Sequence, residues 1–120
     1  MKPWLGARVR SFRHAGSGWL YLLRREANFK IHVASAAAVG IAGTVCGVRG
    51  RDWLWLAAAV TAVLVAEAFN SALEALADAC RPEADPRIRR AKDIAAAAVL
   101  LAAVFAAAVG AAVFIPRIFP

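Results

Sequence analysis

Three long apolar runs, each bounded by charge, set the plan of this chain. Ile31 to Val48 is interrupted only by His32, Ser35 and Thr44 among polar residues, Trp53 to Ala66 only by Thr61, and Ile94 to Ile115 not at all. A helix needs about 20 residues to cross a hydrocarbon core about 30 Å thick. The pattern therefore predicts transmembrane helices over 31–48, 53–79 (continuing past its apolar part as a polar extension) and 93–115. Ahead of them, residues 1–30 mix Trp4, Leu5, Val9, Phe12, Trp19 and Leu20 with arginines. That mixture predicts an amphipathic helix lying in the membrane interface, with aromatic anchors at headgroup level. Gly16-Ser17-Gly18 predicts a break in it. Arg49-Gly-Arg-Asp52 predicts a short turn, and Arg81 to Pro86, with prolines at both 82 and 86, predicts a loop that no helix can run through. The expected fold is all-α, one integral-membrane domain over residues 1–120, with an interfacial helix followed by three transmembrane helices.

The polar extension of the second span is not a random mixture. Glu67, Asn70, Glu74 and Asp78 stand at i, i+3, i+7 and i+11. At about 100° per helical residue they fall within roughly 60° of one another, on a single face. A helix end emerging into water accounts for Asp78 and Glu74 but not for Glu67. Counted from Trp53, Glu67 is fourteen residues along the helix, about 21 Å, still inside the hydrocarbon. Ionisable groups at that depth are expensive and mark functional sites. Glu67 is thus a candidate general base. Glu74 would sit near the interface and Asp78 in water, an arrangement suited to a reaction between a lipid hydroxyl and a reactant arriving from the aqueous side.

Composition sharpens this picture. The chain has 120 residues, 62% of them hydrophobic, and a net charge of +7. It is one small domain outside the range of ordinary soluble proteins. Of its fifteen basic residues, Lys2, Arg8, Arg10, Arg13, Arg24, Arg25 and Lys30 precede the first span, and Arg81, Arg87, Arg89, Arg90 and Lys92 lie between the second and third. Only Arg49, Arg51 and Arg117 fall on the other side. The asymmetry predicts a cytoplasmic N-terminus and second loop, and the positive charge favours anionic lipid headgroups. No nucleic-acid motif accompanies that charge. Gly16-Ser17-Gly18 is not followed by the Lys-Ser/Thr of a phosphate-binding loop. Cys46 and Cys80, expected as buried small hydrophobes, lie at opposite ends of the spans, which excludes a bond between them.

Two further polar clusters flank the same interface: Glu26-Ala-Asn28-Phe-Lys-Ile-His32 before the first span and Arg90-Ala-Lys92-Asp93 at the third. With the Glu67-x-x-Asn70-Ser-Ala-x-Glu74-x-x-x-Asp78 stripe they resemble the small prokaryotic diacylglycerol kinase/undecaprenol kinase family, over about residues 10 to 115. Phe12-Arg-His-Ala-Gly16 and the Glu26–His32 run are more similar to the undecaprenol kinase branch. Ala97 and Ser71-Ala-Leu73 depart from the commoner family pattern, but the charged set is intact.

The resemblance implies a lipid kinase of a bacterial cytoplasmic membrane, a homotrimer with active sites shared between subunits, using ATP and Mg²⁺. It implies Glu67 as the base that takes the proton from the lipid's primary hydroxyl, with Asn70 orienting Glu67 or that hydroxyl. It implies Glu26 and Glu74 as metal-binding carboxylates in contact with the nucleotide, and Lys92 and Asp93 as nucleotide contacts. Arg10, Ser17, Asp78, Glu83 and Asp85 align with further nucleotide contacts. His32 is expected to make a structural hydrogen bond. A third span opening at Lys92 would also aim a helix N-terminus at the phosphates. The expected reaction is phosphorylation of undecaprenol, with diacylglycerol as the alternative substrate. A small multidrug or ion transporter subunit is the alternative of another class, but it would want four spans and a charge near the midplane. A non-catalytic assembly subunit would leave the polar stripe without a purpose.

Overall fold

A computed structural model describes residues 3–80 and 85–120. Among the described residues the chain is entirely helical: α1 Pro3–Arg25, α2 Ala27–Val45, α3 Arg51–Ala79 and α4 Pro86–Ile118. Alanine and leucine, which lose little on entering a helix, dominate α3 and α4, and both are long and apolar enough to cross a membrane. The 19-residue α2 begins with Asn28, Lys30 and His32, so its uninterrupted apolar part is shorter than either.

The expected break at Gly16-Ser17-Gly18 does not occur, and α1 runs through it. Two glycines cost a helix interior about 1 kcal/mol each. Here Ser17 stays in register by donating its hydroxyl to the His14 carbonyl at 2.7 Å. The first residue of α4 is also earlier than the 93–115 span suggested. Asp85 caps it by accepting the Arg87 N–H at 2.9 Å, with Pro86 at the first helical position, where its missing N–H costs nothing. Lys92 and Asp93 are therefore in a helix interior, about 9 Å past the N-terminus, and no helix end points from them at a ligand.

The turn from α2 to α3 shows why glycine stands at position 47. The Val48 N–H donates to the Gly43 carbonyl (2.9 Å) and the Gly47 N–H to the Thr44 carbonyl (3.2 Å), closing the last turn of α2 with Gly47 at φ 68°, a left-handed conformation that side chains disfavour. Gly50, at φ 55°, then starts α3. Beyond the turn Trp53, expected with Trp55 as an aromatic belt at the outer interface, folds inward instead. Its indole N–H donates to the Val48 carbonyl at 2.8 Å, and its ring covers Gly43 so closely that a Cβ there would lie 2.6 Å from a ring carbon. Val48, Leu56 and Val113 form the core at this end, with Val39, Val109 and Phe114 against them. Trp55 remains exposed.

α3 and α4 are antiparallel, and ion pairs fix their register at both ends. Asp52 meets Arg117 at 2.7 Å and Asp78 meets Lys92 at 3.0 Å, two contacts about 38 Å apart along the helices. α1 joins the bundle through α2, where Trp19 packs edge-on against Phe29 with centroids 5.4 Å apart. Phe29 is the only fully buried large side chain among the described residues. The molecule is flat, 53 × 48 × 21 Å. Both cysteines are free thiols, Cys46 half-buried and Cys80 exposed, so neither is the buried hydrophobe expected.

Candidate active site

The polar stripe on α3 is real, and burial grades along it. Glu67 is 3% exposed and Asn70 7%, Glu74 is half-buried, and Asp78 is exposed. Ser71, one residue off the stripe, is buried as well. The helix thus carries a carboxylate from a dry interior out to solvent in three turns. A buried carboxylate has to be compensated. The nearest cation-forming group is His32 on α2, whose Nε2 lies 3.7 Å from a Glu67 carboxylate oxygen. That is longer than a hydrogen bond, so the structural hydrogen bond expected of His32 is not made. The Asn70 side-chain oxygen is buried with no hydrogen-bond partner. Such a group is rare in a folded interior and costs roughly 1–3 kcal/mol.

At the solvent end Lys92 reaches from α4 to the Asp78 carboxylate, donating at 3.0 Å. That hydrogen bond, and the charges of Asp78 and Glu74, hold the Lys92 ammonium above its ordinary range. Lys92 precedes the uncharged run that opens at Ile94. The structure thus brings together Glu74, Asp78 and Lys92 as one cluster, and Glu67, Asn70 and His32 as another, stacked on the same helix face.

The remaining expected residues are placed differently. Glu26 is the single non-helical residue between α1 and α2, half-buried, and its side chain makes no capping hydrogen bond. Asp93 is exposed. Arg10 and Ser17 lie exposed on α1, and the Ser17 hydroxyl is committed to its own helix. The Asp85 carboxylate is engaged by the Arg87 backbone and guanidinium, the latter at 2.8 Å, and those bonds hold it below the usual carboxylate range. It is a helix cap, not a free ligand contact. Glu83 lies outside the described residues. Among the described residues no group of three or more His, Cys, Asp and Glu converges as a metal cage. The oxygen donors at hand suit a hard cation that takes one or two carboxylates and completes its shell with phosphate oxygens.

The contact that sequence reasoning undervalued is His32 with Glu67. A signal for it existed. His32 is the first polar residue inside the apolar part of α2, and Glu67 is the first charged residue after the apolar part of α3. In antiparallel neighbours those two boundaries lie at one level.

A helical protein with membrane-length helices, a buried carboxylate and an acidic stripe closed by a lysine defines a class: enzymes of the membrane interface that handle a lipid and a charged co-substrate. Residues 13–114 match the family described as prokaryotic diacylglycerol kinase, and the chain belongs to that family. It is similar to an undecaprenol kinase of Bacillus subtilis, 33% identical over 109 residues that cover 91% of this chain and 89% of that protein. It is also similar to a diacylglycerol kinase of Synechocystis sp., 35% identical over 107 residues, 88% of this chain but only 61% of that protein's length. The chain is a membrane lipid kinase, with ATP as the phosphate donor its family implies.

Proposed function

We propose that this enzyme transfers the γ-phosphoryl group of ATP to the primary hydroxyl of undecaprenol, with Glu67 as proton acceptor. The observation that carries the reading is the burial gradient along α3, which runs from a dry carboxylate to a solvent-side acid–lysine cluster about 16 Å away. Phosphoryl transfer asks a protein chiefly for positioning and charge neutralisation. The lipid oxygen bonds to the γ-phosphorus, the bond to ADP breaks, and the hydroxyl proton goes to the Glu67 carboxylate. Lys92 neutralises phosphate charge. Glu74 and Glu26 would hold Mg²⁺, which supplies further neutralisation on the same phosphates, and Asn70 orients Glu67 or the substrate hydroxyl. Asp78 keeps Lys92 charged and in place. Arg10 and Asp93 are the outlying nucleotide contacts of this reading, and Ser17 joins them by turning its hydroxyl away from the His14 carbonyl.

The proposal includes three spans (α2, α3 and α4), a cytoplasmic N-terminus and a homotrimer. Support for undecaprenol comes from the near-complete mutual coverage with the Bacillus subtilis relative. It also comes from a groove whose polar lining is confined to His32 and Ser35, which gives two ester groups few partners. Diacylglycerol is the second reading, favoured by the identity to the Synechocystis relative. Phosphorylation of both lipids side by side in matched mixed micelles tests the choice. Undecaprenol is expected to show the higher kcat/KM by about tenfold; equal or better turnover of diacylglycerol reverses it.

A further inference from the structure

Between α2, α3 and α4 runs a cavity of about 200 Å³ bounded by Ala36, Val39, Val60, Val63, Ala103 and Gly110. On each helix the first and last lining residues are seven positions apart, about 10 Å of length. Its lining is apolar except at one end, where His32 and Ser35 stand. The Ser35 hydroxyl is already committed to the Ile31 carbonyl at 2.9 Å. His32 is the free polar group at the mouth, with 24% of its side chain exposed, against 4% for Glu67 behind it.

We propose that His32 is a positioning residue that seats the lipid hydroxyl against Glu67. The inference rests on the reading of Glu67 as proton acceptor and adds to it a second point of attachment. The 3.7 Å between Nε2 and the carboxylate oxygen is too long for a bond between them. A hydroxyl oxygen can sit about 2.8 Å from both atoms at once. In that position the lipid O–H donates to Glu67 and its oxygen accepts from the His32 ring N–H, which leaves a lone pair for phosphorus. The same N–H stabilises the alkoxide character that develops as the proton leaves. The two residues come from different helices, so the packing of α2 on α3 brings their side chains to either side of the gap that the hydroxyl fills. A single hydrocarbon chain lying in the groove would deliver its terminal hydroxyl to this point.

The test is kinetic, on the full-length enzyme in mixed micelles. His32→Leu removes the donor at similar size, and His32→Gln keeps a donor nitrogen near the position of Nε2. His32→Leu should lower kcat/KM for the lipid about tenfold or more with the KM for ATP unchanged, and His32→Gln should stay within about threefold of wild type. In a Glu67→Gln background, His32→Leu should cost little further, because the two act as one unit. Wild-type lipid kinetics in His32→Leu would overturn the proposal while an impaired Glu67→Gln kept the base reading standing. Equal losses in Leu and Gln variants, a loss confined to ATP, or additive losses with Glu67→Gln would also overturn it. A normal Glu67→Gln would remove the base reading itself, and this inference with it. If His32→Leu lowers the unfolding midpoint, the decision passes to His32→Gln, whose defect or recovery in lipid KM settles it.

Discussion

Replacing Glu67 with Gln is the most informative single change, because the structure separates its chemical effect from its structural one. The amide matches the carboxylate in size, so no cavity forms at a side chain that is 3% exposed. Burying an uncharged group in place of an ion relieves desolvation. Unfolding midpoints should therefore hold or rise. Catalysis should not hold. A positioned general base contributes 10²–10⁴ in rate, so turnover should fall by at least about 10², or about 2.7 kcal/mol at 1.36 kcal/mol per decade. The Lys92–Asp78 cluster lies eleven residues along α3 from the change, so nucleotide binding should be unaltered. The assay is transfer of labelled phosphate from ATP to undecaprenol in mixed micelles, with nucleotide affinity and unfolding measured on the same preparation. Turnover within a few-fold of wild type in a folded variant would refute the assignment. So would a loss that tracks nucleotide affinity.

Glu74→Ala and Glu26→Ala should each raise the Mg²⁺ concentration needed for half-maximal activity; unchanged Mg²⁺ and ATP titrations in both variants would remove the pair from metal binding. A reporter fused after Pro120 should be found outside the cytoplasm and one inserted at Ala84 inside it, and the reverse would place the carboxylates away from ATP. Gly43→Ala should destabilise the protein by about 1–3 kcal/mol, because the added Cβ would lie 2.6 Å from the Trp53 ring, while kcat at a temperature where the variant remains folded should be unaffected. Pairing Gly43→Ala with Trp53→Leu should recover part of that loss in thermal unfolding.

What was legible in the sequence follows from periodicity and cost. Four polar residues on one helix face, the innermost far into an apolar run, are expensive enough to be conspicuous, and the burial gradient from Glu67 to Asp78 was readable from spacing alone. The helix boundaries were harder. The proline pair at 82 and 86 marks where a helix cannot continue, but Pro86 is also a good first helical residue, so α4 opens two turns before its apolar run. The Gly16–Gly18 pair is a local signal against helix that the long continuous flanks of α1 override. Trp53 next to a turn reads as an interfacial anchor, and that it is a core ring is decided by Gly43, ten residues away. His32 facing Glu67 depends on the rotation of α2 about its own axis, which a largely apolar helix does not encode.

The two ends of the bundle are built on opposite rules. At one end every special feature is satisfied: the Trp53 indole N–H, the left-handed Gly47 and the Asp52–Arg117 pair each have a partner or a conformation that suits them. At the other, Asn70 keeps a buried acceptor without a donor, Glu67 and His32 stand slightly too far apart to bond, and Glu26 and Glu74 are half-buried acids outside the ion pairs of the described residues. Sequences that fold well tend to satisfy all their local rules, and the exceptions cluster where function needs groups left open. The long α3–α4 pair, fixed in register at both ends, lets the satisfied end hold the open one in place. On the proposed reading, each open group at the polar end matches something a lipid kinase must receive: a hydroxyl proton at Glu67, a donor at Asn70, and the cation that accompanies a nucleotide at Glu26 and Glu74.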